Sequence, residues 1–141
     1  MSTGVAPTYG AFMGRMSRLI VPCAVAVTLP VLAAPSAVPA VAGGYTTYVA
    51  CSNKASGRPS HQCTLSQPKA AYFISTKHDA TYKVCVKFPG RKKRLCASAQ
   101  PADKGEKRIV TIATANTGTH EVRWYVDGKK VGSWNFQVTQ G

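Results

Sequence analysis

The stretch CVKFPGRKKRLC, Cys85 to Cys96, constrains the fold more than any other part of the chain. It continues a run, TYKVCVKF, in which Tyr82, Val84, Val86 and Phe88 fall on one side of an extended backbone and Lys83, Cys85 and Lys87 on the other, because side chains alternate along a strand. Pro89-Gly90-Arg91-Lys92 then reads as a turn. Setting Phe88 opposite Lys93 brings Val86 to Leu95, Val84 to Ala97 and Cys85 to Cys96. The apolar residues meet on a buried face and the cysteines on the outer face, within reach of a disulfide. Closing so short a loop contributes about 2–3 kcal/mol in the chain-entropy account. The same register sets Lys87 opposite Arg94, a like-charge pair that should be mildly unfavourable.

Two further cysteines, Cys51 and Cys63, make an even set outside the N-terminal third. Four cysteines allow three connectivities. The nearest-neighbour pairing, Cys51–Cys63 with Cys85–Cys96, is the one expected. Neither pair has the close spacing of a zinc site, so no metal is expected. No other cofactor is expected either.

The N-terminal third explains why cysteines should be oxidised. Leu19 to Ala42 carries no charge, follows Arg15 and Arg18, and ends in Ala40-Val41-Ala42, a small-x-small cleavage pattern. Residues 1–42 are expected to be a secretory signal peptide and residues 43–141 the domain. A membrane-spanning helix is disfavoured by Pro22, Pro30, Pro35 and Pro39, and a lipid anchor on Cys23 by the apolar run lying after it instead of before. The long lead before Arg15 leaves Met13 or Met16 as alternative starts. The expected location is therefore outside the cell or on the outer face of its envelope, where disulfides persist.

The domain reads as short β-rich runs between turn residues, without a sustained helical period. Seven strands are expected, at Tyr45–Cys51, Ala71–Thr76, Thr81–Phe88, Lys93–Ser98, Arg108–Thr114, His120–Val126 and Val131–Val138. That number in a domain of this size suits a two-sheet antiparallel sandwich. The last two form a hairpin about Asp127-Gly128, a strong turn signal. Val131 has the wrong parity for the set Trp134, Phe136 and Val138, so a bulge is expected at Gly132-Ser133.

The segment TGTHEVRWYVDGKKVGSWNFQV, residues 117–138, resembles the closing hairpin of bacterial immunoglobulin-like domains. His120 stands where that pattern usually has a tyrosine. The resemblance implies an all-β, seven-stranded antiparallel immunoglobulin-like sandwich, here with two disulfides. It implies no ligand, since such folds carry many functions.

Groups for catalysis are scarce. The acids are Asp79, Asp103, Glu106, Glu121 and Asp127; Asp127 is explained by its turn, and Asp103 and Glu106 lie in a lysine-rich loop. His78-Asp79 is the one adjacent histidine–acid pair, and it falls in an expected turn. His120 is expected at a strand corner. With all four cysteines in bridges no thiol nucleophile remains, and the chain is not expected to be an enzyme.

Charge is the functional lead. Lys+Arg total 18 against Asp+Glu 5, a formal net charge of +13, which concentrates anions at the surface. The candidate binding residues are Lys87 with Arg91, Lys92, Lys93 and Arg94 at one hairpin tip, and Lys129 and Lys130 at another; Lys104, Lys107 and Arg108 form a further cluster. Whether the two tips share one end of the sandwich depends on its winding. The expected partner is an anionic envelope polymer or polysaccharide. Sequence-specific nucleic-acid recognition is not expected, as there is no recognition helix and no stacking motif; Tyr125, beside Arg123, could still stack a sugar or base. The alternative is a secreted inhibitor or toxin-like effector that offers a rigid loop, such as Ser52–Gln62, to a protein partner.

Overall fold

The computed structural model describes residues 36–141. Most of the expected signal peptide, including Cys23, lies outside the described residues. The described chain forms strands β1 (Ala40–Ala42), β2 (Tyr45–Ala50), β3 (Gln62–Thr64), β4 (Ala70–Ser75) and β5 (Ala80–Lys87). It continues with β6 (Leu95–Cys96), β7 (Gln100–Ala102), β8 (Lys107–Thr111), β9 (Gly118–Val126) and β10 (Lys129–Thr139). One sheet has the order β1-β2-β4-β8 and the other β3-β10-β9-β5-β6, with β7 also pairing β5.

The strand count is a correction. Ten strands appear where seven were expected, because β1, β3 and β7 span three residues each, too few to show an alternation. Pairing is antiparallel except between β3 and β10, which run parallel. The expected Lys93–Ser98 strand shrinks to Leu95–Cys96. β1 lies within residues 1–42 and pairs with the start of β2, Val41 opposite Thr46.

The inward faces of both sheets share one core. Tyr45, Thr47 and Val49 of β2 and Phe73 of β4 meet Tyr82, Val84, Val122, Trp124, Phe136 and Val138 from the other sheet. Phe73 stacks on Tyr82 at 4.3 Å between ring centroids, joining the two sheets. Burial of such aromatic surface is the main source of stability in a domain this small. β4 is covered on its outer side as well. There Tyr72 stacks on Tyr48 at 4.6 Å, and its hydroxyl donates to the carbonyls of Ser52 (3.0 Å) and Lys54 (2.6 Å). Burial raises the pKa of both tyrosines above the usual phenol value.

The hairpins follow the expected chemistry with local differences. Both expected disulfides form, Cys51–Cys63 and Cys85–Cys96, and the register Cys85↔Cys96 and Val86↔Leu95 holds. Leu95 departs from expectation: it is 53% exposed. With β6 only two residues long, no further strand stands over it. In the β9–β10 hairpin Asp127 and Gly128 both take positive φ, 49° and 75°, as this turn type requires. The register shift lies between Lys130 and Gly132, so Val131 is the extra residue and the bulge sits one position earlier than expected.

Candidate anion-binding face

The outward face of β5, β9 and β10 gathers side chains that alternate with the core. Lys87, Glu121 and Asn135 share one row across the sheet, Cys85, Arg123 and Ser133 the next, and Lys83, Tyr125 and Lys130 a third. At about 3.4 Å per residue, the first and third rows lie roughly 14 Å apart. Against the β6 edge stands Arg94.

Glu121 organises this face. Its Oε2 accepts from Nη2 of Arg94 at 2.5 Å and its Oε1 from Nε of Arg123 at 2.6 Å. Burial by itself would raise the carboxyl pKa, but the hydrogen bonds and charges of Arg123 and Arg94 outweigh it and hold the group below its usual range. The expected clash of Lys87 with Arg94 is therefore corrected. Arg94 reaches over β5 to Glu121, and Lys87 lies directly opposite the same carboxylate. The acid that relieves the hairpin comes from β9, distant in sequence.

Two depressions open on the face. One of about 670 Å³ is lined by Lys87, Phe88, Pro89, Arg91, Lys92, Glu121 and Asn135. The other, of about 470 Å³, has the Cys85–Cys96 bridge in its lining, with Tyr125, Lys83 and Arg94 around it and Asp127 at one end. Cys85 points outward in parity yet is only 3% exposed, its sulfur bonded to that of Cys96.

Strand directions settle where the hairpin tips lie. β5 ends at Lys87 beside Glu121, while its start pairs with Val126 at the other end of β9. The Arg91–Arg94 tip and the Lys129–Lys130 tip thus occupy opposite ends. Acids are distributed unequally between those ends. Asp79, Asp103, Glu106 and Asp127 lie with Lys129; Asp79 accepts from the backbone N–H of Lys104 at 2.7 Å, which ties two loops there. Among the described residues, Arg91, Lys92 and Lys93 form no ion pair with a carboxylate. Lys130 joins the face through its row with Tyr125, and Lys129 stays at the turn.

No protein-family model matches the chain, and comparison with curated proteins finds no match. Among solved structures, the chain is similar to the Pseudomonas fluorescens alkylpurine DNA glycosylase AlkC bound to DNA containing an abasic site analog. The match has 14% identity, covers 67% of this chain and 30% of that one, and has a TM-score of 0.38. The chain thus spans under a third of that structure's length, and a likeness this slight carries no argument about fold or function.

The other sequence candidates separate in space. His78 hydrogen-bonds Tyr45 through Nε2 at 3.0 Å, while Asp79 accepts from the backbone of Lys104, so the two adjacent side chains have different partners. His120 lies near the start of β9 and is fully buried. Its Nδ1–H donates to the carbonyl of Gly118 and its Nε2 accepts from the hydroxyl of Thr114, each at 3.0 Å; burial lowers its pKa. The Ser52–Gln62 loop lies back on the sheet, with Gly57 against Tyr72 and its carbonyl accepting from Tyr48 at 3.3 Å. Among the described residues no cluster suited to a metal ion occurs, and no helix is long and apolar enough to cross a membrane. Charge runs in the sequence pointed to Arg91–Arg94 and Lys129–Lys130. They did not point to Glu121, which strand parity alone could have placed on one face with Arg123 and Tyr125, or to Lys83, which reaches that face only through the pairing of β5 with β9.

Proposed function

We propose that the protein is an exported, non-catalytic binding module with an immunoglobulin-like sandwich fold, which holds anionic polymer on the outward face of its six-stranded sheet. The fold assignment is supported by the order β2-β4-β8 facing β10-β9-β5-β6, together with the closing hairpin. Two disulfides are compatible with an oxidising location outside the membrane.

The observation that carries the function is the charge pattern. Lys83, Lys87, Arg94, Arg123 and Lys130 share the face with one carboxylate, that of Glu121, which Arg94 and Arg123 engage, and the face runs on into Arg91, Lys92 and Lys93, away from the end that holds the other acids. Such a field concentrates polyanions and orients them along the face. The Cys85–Cys96 bridge holds Arg94 and the tip in shape, which lowers the ordering cost of binding.

The test is retention on an immobilised polyanion over a salt gradient. Replacing Lys87, Arg91, Lys92 and Lys93 by glutamine should lower the elution salt sharply, while replacing Lys104 and Lys129 should lower it little. Equal losses per charge removed from the two sets would reduce the effect to net charge and defeat the proposal. Elution that scarcely responds to salt would instead favour a packed protein interface.

A further inference from the structure

The depression beside Tyr125 differs from a simple cationic stripe, and it bears on the chemical class of the polymer. Resting on the anion-binding reading above, we infer that it is a saccharide subsite that takes a pyranose unit bearing a carboxylate, phosphate or sulfate group.

Charge alone would hold any polyanion and requires no aromatic or apolar surface. This depression has both. The Cys85–Cys96 bridge contributes to its lining, and Tyr125, half-buried, stands in the row between Lys83 and Lys130. The C–H face of a pyranose ring is apolar and packs on an aromatic ring, while its charged substituent requires a cation at the periphery. Apolar and aromatic walls with a few placed polar groups are the usual makeup of a small-molecule site. A volume of about 470 Å³ falls within the usual span of roughly 300–1,000 Å³ for such sites.

The charges around the depression set a polarity. Arg94 and Lys83 lie on its lining and Asp127 at one end, so an anionic substituent is repelled from the turn and drawn towards Arg94. Glu121 orients the Arg94 guanidinium through their ion pair, in which Lys83 takes no part. Of the two tyrosines in the lining, Tyr82 is buried, and one accessible aromatic favours a sugar over a nucleic-acid strand, since strand-binding surfaces stack successive bases on several aromatic rings. The three rows described above contain Tyr125 and no other aromatic residue.

The experiment compares dissociation constants of the oxidised protein and its Tyr125→Ala and Tyr125→Phe variants. The probes are polygalacturonate, inorganic polyphosphate and oligo-dT, at one ionic strength. The half-buried, outward position of Tyr125 leaves the core intact, and circular dichroism with thiol titration verifies fold and bridges. Tyr125→Ala should weaken polygalacturonate binding about tenfold and polyphosphate binding less than about twofold, the scale of one lost stacking contact, and Tyr125→Phe should restore it. Equal effects on both polymers, or none, would overturn the saccharide subsite and leave the anion-binding face standing. A larger Tyr125 effect on oligo-dT would overturn it in favour of a nucleobase. Failure of the unaltered protein to bind any of the three would remove both readings together.

Discussion

At the scale of single residues, the buried polar groups are the ones whose behaviour depends on conditions. His120 is enclosed by Phe88, edge-on at 5.5 Å, and Phe136, stacked at 5.0 Å. Burial depresses its pKa below 6.5, with the nearby Lys69 acting in the same direction. Lys69 is itself only 3% exposed, and its ammonium donates to the carbonyls of Leu65 and Gln67. Because the folded-state pKa is the lower one, the unfolded chain takes up the proton first. The stabilisation is complete above about pH 6.5 and is lost as pH falls through the interval beneath it. Urea midpoints measured at pH 7.5 and at pH 5 should therefore fall with acidification, and His120→Phe should flatten that dependence; an unchanged slope would refute the role. The effect is local to the base of the basic tip, since Phe88 leads directly into Pro89.

At the scale of elements, the β9–β10 hairpin shows how close approach between sheets selects a residue. A Cβ built on Gly132 would run into Oγ1, Cβ and Cγ2 of Thr47 in β2, so the glycine is required by space and not by its backbone angles. Gly132→Ala should destabilise by about 1–3 kcal/mol, the range for forcing extra volume into a packed interior, read as a shift in the urea midpoint. Thr47→Ala in the same chain should recover part of that loss, whereas a loss due to backbone strain would remain. The bulge beside Gly132 was legible from the parity of Val131 against Trp134, and its location was wrong by one position. Parity reports that an extra residue exists, but the ladder hydrogen bonds decide which residue it is. The short strands β1, β3 and β7 were not legible, because three residues contain too little alternation to register.

At the scale of the molecule, an excess of 18 basic over 5 acidic side chains makes the folded state repel itself. Raising salt from about 0.01 M to about 0.15 M shortens the screening length from roughly 30 Å to roughly 8 Å, so the melting temperature should rise over that range. The gain should be smaller in a variant with Lys87, Arg91, Lys92 and Lys93 replaced by glutamine, since their repulsion is among what salt relieves. A melting temperature that falls with salt would show instead that the Arg94–Glu121–Arg123 ion pairs outweigh the net charge.

Alternation and cysteine spacing within the sequence determined the β character, most of the long strands, both bridges and the Cys85–Cys96 register. Each of these depends on neighbours within a dozen or so residues. Tertiary structure alone decided the placement of charge. Whether Arg94 repels Lys87 or binds Glu121, which end carries the acids, and whether Lys83 stands beside Tyr125 all depend on which strands become neighbours. That order comes from the packing of two apolar faces into one core. Electrostatic energy falls off with distance through space, whereas the spacing read from a sequence is distance along the chain.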